Sequence, residues 1–152
     1  MKRTLALALV GSAALAGCSS SENEETPAAC LTENGVYRDA LGAAPGRVSL
    51  EGETLISDCL LPEQEGGELA QVGQLVVETA TELNADARRD PTGPATLQLG
   101  YLVGALERGA EGIHADLVRR LNAAARFSPD QLLPPEFERT FGEGYAAGLE
   151  AG

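Results

Sequence analysis

From Gly66 onward, apolar residues recur every three or four positions, the period of an amphipathic helix. A first helix is predicted over Glu68–Arg88, with Leu69, Val72, Leu75, Val76, Ala80 and Leu83 on one face and Gln71, Gln74, Glu78 and Glu82 opposite. Asp90-Pro91-Thr92-Gly93 breaks the pattern, and Pro94 suits the first turn of a second helix. That helix is apolar along Ala95, Leu99, Leu102, Val103 and Leu106, and its back (Leu97, Gly100, Tyr101, Gly104) is apolar or small as well. Two such faces predict a central helix buried between neighbours, with Gly100 and Gly104 permitting close backbone approach. A third helix over Ile113–Arg126 would turn Ile113, Leu117, Leu121 and Ala124 inward and Asp116, Arg119, Asn122 and Arg126 outward. Pro134 and Pro135 open a last one, striped by Phe137, Phe141, Tyr145 and Leu149.

Cys30–Pro62 shows no helical period. Glycine and proline punctuate it, and its short apolar runs suggest a hairpin near 47–51 and 53–58, turning at Glu51-Gly52. The predicted fold is therefore all-α: a small antiparallel bundle of about four helices over 63–152, carrying a loop-rich lobe over 30–62. Ser19–Ala29 is polar and acidic, with too little apolar surface to order itself. It predicts a tether, from residue 18 to 29, of roughly 17–20 Å mean span.

The first seventeen residues follow a different logic. Lys2 and Arg3 precede an apolar run from Leu5 to Leu15, which is too short to span a bilayer and laid out like an export signal. Leu15-Ala16-Gly17-Cys18 closely resembles the lipobox of bacterial lipoproteins. The resemblance implies cleavage before Cys18, a diacylated thiol and an anchor on the outer face of a bacterial membrane. Ser19 is not the aspartate that, in Gram-negative members, favours retention at the inner membrane; whether the membrane is inner or outer stays open. Two or three acyl chains hold firmly where one is marginal.

Loss of residues 1–17 leaves 135 residues with nine Arg, no Lys and 23 Asp plus Glu, a formal charge of −14. So anionic a shell disfavours nucleic acid as a partner. Membrane contact must then come from the lipid, and an envelope protein is the natural partner. With Cys18 taken by lipid, Cys30 and Cys59 form an even pair in an exported chain, which predicts a disulfide bracing the lobe. Their spacing matches neither a Cys-x-x-Cys redox motif nor a zinc site.

Candidate chemistry is sparse. His114 is the only histidine, and Glu111-x-x-His114 is half of a di-iron motif whose second half is missing. Ser49, Ser57 and Ser128 have no nucleophile elbow, and any Ser/His/Asp set would depend on His114. Gly142-Glu143-Gly144 with Gly148 does not follow a strand, so it is no phosphate loop. Glu63, Glu65 and Glu68 lack a calcium-loop pattern. Arg119-Arg120 suits ion pairing on an acidic surface. No catalytic residue, metal site or cofactor is assigned. The expectation is a lipid-anchored, non-catalytic binding or scaffolding module, with Tyr101, His114, Phe137, Phe141 and Tyr145 as its candidate ligand or partner surface. The alternative is a small-ligand binder serving a membrane transporter, with an apolar pocket near Tyr101, Tyr145 and His114.

Overall fold

A computed structural model describes residues 25–130 and 132–152. The export signal, the lipobox with Cys18 and the tether as far as residue 24 lie outside the described residues.

The chain is predominantly helical. Among the described residues, five α-helices, α1 (Asn34–Leu41), α2 (Gly66–Ala87), α3 (Pro94–Gly109), α4 (Ala115–Ala125) and α5 (Pro135–Ala151), accompany strands β1 (Ser49–Leu50) and β2 (Thr54–Leu55). The predicted helix over 68–88 is α2 within two residues at its start and one at its end, and Pro94 occupies the first turn of α3 as expected. α3 is central. Every residue from Leu99 to Leu106 is buried, and the helix packs against α2, α4 and α5.

The closest helix pair is not one of consecutive helices but the alternate pair α3 and α5. Gly100 lies against Phe141 and Tyr145, and Gly104 against Tyr145 and Leu149, so α3 and α5 run parallel. Gly144 and Gly148 face Leu97, Tyr101 and Ala105 in return. A Cβ on any of these four glycines would sit 1.9–2.2 Å from a carbonyl oxygen of the other helix. The hydrogen that stands in its place points at that oxygen, giving the Cα–H···O contacts that closely packed helices use. Only the glycine registers of the two helices, four residues apart, allow the backbones this near.

α1 lies within the stretch expected to lack helix. Its eight residues bury only Tyr37 and Leu41, one turn apart, too few to show a period. So short a helix depends on its surroundings. Tyr37 Oη donates to the Cys30 carbonyl at 2.9 Å, and Arg38 pairs with Glu82 at 2.9 Å and Asp86 at 3.1 Å on α2. The predicted hairpin shrinks to an antiparallel two-residue ladder, Ser49 opposite Leu55 and Leu50 opposite Thr54. It turns at Glu51-Gly52, both with positive φ (51° and 87°).

Cys30 and Cys59 are joined by a disulfide, both residues fully buried. Such a bond marks an oxidising, extracytoplasmic setting. No described helix is long and apolar enough to cross a membrane. The packed lobe starts before Cys30, inside the stretch assigned to the tether. Thr26 and Ala29 are buried, and Thr26 Oγ1 donates to Glu68 at 2.6 Å while accepting from Gln64 Nε2 at 2.7 Å.

Candidate functional site

The residues expected to form a partner surface are mostly interior. Tyr101 is fully buried, and its hydroxyl accepts the Val48 N–H at 3.1 Å, tying the lobe to α3. Phe137 and Phe141 are buried with ring centroids 5.7 Å apart, and Phe141 stacks on Tyr145 at 6.5 Å. The guanidinium of Arg126 covers the Phe141 ring, 4.7 Å from its centroid. Leu149, expected in the same stripe, is 40% exposed, because Gly148 takes the position facing α3.

His114 is also fully buried. Its Nδ1 accepts the Glu111 N–H at 2.9 Å, and the Glu111 carboxylate accepts the His114 N–H. This is a reciprocal capping box at the entry to α4, with histidine where Glu or Gln usually stands. Burial pushes its pKa below the ordinary 6.5, against smaller opposing effects of the Leu61 backbone and the Glu111 charge. Nε2 has no hydrogen-bond partner of ordinary geometry among the described residues. The 3-10 turn Gly112–His114 also resets the phase of α4: Ile113 turns out, at 50% exposure, and Ala125 is buried in place of Ala124.

Tyr145 alone of the five is half-buried. Its hydroxyl donates to Glu107 Oε2 at 2.5 Å, and Asn122 Nδ2 donates to Glu107 Oε1 at 2.7 Å. The hydrogen bond to Glu107 raises the Tyr145 pKa, helped by burial and the Glu107 charge and opposed by Arg126. Tyr101, His114 and Tyr145 hydrogen-bond to three separate partners, Val48, Glu111 and Glu107, with only His114 Nε2 left without one among the described residues. Among the described residues, no group of three or more His, Cys, Asp or Glu converges as a metal site.

A surface the sequence did not single out stands between α2 and α4. These helices run parallel: Gly73 meets Leu117 at one end, and Asn84 meets the end of α4 at the other. The last carbonyls of a helix lack partners of their own. Asn84 Nδ2 satisfies two carbonyls there, donating to Ala124 at 2.7 Å and Phe127 at 2.9 Å, while its Oδ1 stays without a partner among the described residues. Asn84 thereby fixes where the chain leaves α4 and holds Phe127 at the edge of α2.

Phe127 is 61% exposed, with the Arg88 guanidinium 5.9 Å from its ring centroid. The short side chains of Ala85, Ala123 and Ala124 leave an open groove of about 340 Å³, lined also by Thr81, Asn84, Arg88 and Phe127. Arg88 borders a second cleft of about 190 Å³ as well, formed by Pro91, the connection after Phe127 and Phe137. Leu132 projects from this connection at 82% exposure. Two large apolar side chains, Phe127 and Leu132, thus stand exposed at this end of the domain. The sequence carried one sign of it: Phe127, Leu132 and Leu133 are large apolar residues outside every helical stripe, in a connection rich in proline.

No protein-family model, curated protein or solved structure matches this chain.

Proposed function

We propose that this protein is a lipid-anchored extracytoplasmic module that binds an envelope protein and performs no catalysis. Cys18 carries the lipid and residues 19–25 link it to the domain. The observation that carries the binding role is the apolar, arginine-bordered end face built from Phe127, Leu132, Arg88 and the α2–α4 groove. It lies at the opposite end of α2 from the point where the chain enters the domain. Thr26 is bonded to Glu68 near the start of α2, whereas Asn84 and Phe127 meet near its end. The sixteen residues from Glu68 to Asn84 rise about 24 Å along the helix. An anchor at one end and an apolar face at the other suit a module that holds a partner away from the bilayer.

The transporter-serving alternative has less behind it, since the side chains it relied on are engaged with three different partners. Membrane fractionation with intact mass measurement tests the anchor. The wild-type protein is expected in the membrane fraction with a chain starting at acylated Cys18, and Cys18→Ala in the soluble fraction. Retention of Cys18→Ala on the membrane sinks the anchor assignment.

A further inference from the structure

We infer that the α2–α4 groove receives an acidic amphipathic helix of the partner protein, an inference that rests on the binding role proposed above. The shape is the first reason. The groove runs along Thr81 and Ala85 on α2, with Arg88 at its C-cap, and along Ala123 and Ala124 at the end of α4, with Phe127 just beyond it. From Thr81 to Arg88 the rise is about 10 Å, two turns of helix. A trough between two parallel helices, floored by alanine and closed by a phenylalanine, takes a third helix through anchors at i, i+3 or i+4, and i+7.

Charge is the second reason. The chain carries 23 Asp plus Glu against 11 Lys plus Arg, yet no carboxylate lines this groove and Arg88 stands on its edge. Arg120 precedes Ala124 by four residues, which places the two on the same face of α4. Arg88 and Arg120 make no salt bridge among the described residues, and neither do Arg47, Arg108 and Arg139, whereas Arg38, Arg89, Arg119 and Arg126 do; of those without one, only Arg88 lines this groove. Carboxylates on an incoming helix would meet Arg88 at the groove edge, with no carboxylate in the lining to repel them, which favours docking there.

Position is the third reason, and it favours protein over lipid. An anchor at Cys18 leaves seven residues to Glu25, a reach of at most about 25 Å when fully extended. That link enters at the start of α2, and the groove lies at the other end. In the placement proposed above the anchoring bilayer lies at the entry end and the groove at the far end, and a lipid adduct at Ala123 would contradict it.

Site-specific photo-crosslinking in the full chain, produced in its own host, decides the matter. A photoreactive residue is placed at Ala123 on the groove wall, at Ala146 on the exposed face of α5, or at Glu51 in the hairpin turn, and each adduct is digested and sequenced. The expected result is a protein adduct at Ala123 whose linked segment carries Asp or Glu beside apolar residues at helical spacing. Arg88→Glu should lower its yield by at least about tenfold, and Arg47→Glu, in the lobe, should leave it unchanged. Both variants are checked for unaltered thermal unfolding. If Ala123 links only to lipid, to another copy of this chain or to a segment without carboxylates, the groove inference is overturned. It is also overturned if Arg88→Glu has no effect, or if a partner is captured only from Ala146 or Glu51; in that last case the binding role stands. Absence of a protein adduct at all three positions overturns both.

Discussion

Two glycines of α5, two residues apart, should respond to alanine with opposite signs. Gly144 faces α3, and a Cβ there would lie 1.9 Å from the Leu97 carbonyl oxygen and 2.8 Å from its carbon. Ordinary contact begins at 3.4 Å, so α5 would have to retreat locally by about 1.5 Å from a backbone with no rotamer to change. Overpacking costs about 1–3 kcal/mol, and an obstacle made of backbone puts Gly144→Ala at the top of that range. Retreat also loosens the neighbouring Cα–H···O contacts at Gly100 and Gly148, each worth about 0.5–1 kcal/mol. Alanine returns about 1 kcal/mol of helix propensity, leaving a net loss of about 3 kcal/mol. Gly142 is exposed with nothing within 4 Å of its Cβ position, so Gly142→Ala keeps the propensity gain of about 0.5–1 kcal/mol. Urea unfolding of the oxidised, unlipidated Cys18→Ala protein, followed by far-UV circular dichroism, measures both. At a common slope the midpoint should fall for Gly144→Ala and rise for Gly142→Ala. Equal stability of Gly144→Ala and its parent would refute backbone contact as the reason for the glycine register.

Other consequences concern the lobe and the turn into α4. The depressed His114 pKa means that the unfolded state binds the proton more tightly. This contribution to stability is complete above the unfolded value near 6.5 and is lost as pH falls from there toward the folded value. His114→Gln, which restores the usual capping-box residue, should flatten the stability–pH curve just below 6.5; an unchanged curve refutes the assignment. Asp86, held low by hydrogen bonds from Arg38 and Arg89, acts in a separate window, losing its contribution only as pH falls below the ordinary carboxylate range. Arg38→Ala should cost no more than about 1 kcal/mol, because the pair with Glu82 and Asp86 is about one-third exposed; a thermal scan showing several times that loss contradicts the surface-pair reading. Replacing both Cys30 and Cys59 by serine releases a loop with a sequence separation of 29 and should cost roughly 3.5 kcal/mol in the chain-entropy model, read as a lower urea midpoint.

The central helix was legible because its signal is double: apolar on one face, apolar or small on the other, over three turns. α1 was not, since two buried residues one turn apart carry no period and its stability comes from α2 and the disulfide-bonded lobe. The glycines of α3 announced close packing, but not that the partner would be α5. That depends on where α4 returns the chain, which no local pattern records. The inward position of His114 could be read from the helical wheel. Its reciprocal bond with Glu111 could not, because the three residues that make it are a 3-10 turn rather than the predicted α-helix. For the same reason Ile113 was placed inward and is exposed. The spacing of the aromatic stripe in α5 reads as core, and Phe137 and Phe141 are core rather than partner surface. The exposed aromatic is Phe127, which follows the end of α4 and is positioned by a side chain 43 residues earlier, Asn84.

Native mass spectrometry of the protein extracted from its own membranes in mild detergent tests the central claim most directly. The expected species is one chain starting at Cys18, carrying acyl groups and one disulfide, with a second protein bound. A chain that begins elsewhere and carries no lipid, or an acylated chain that brings no protein with it, would contradict the account.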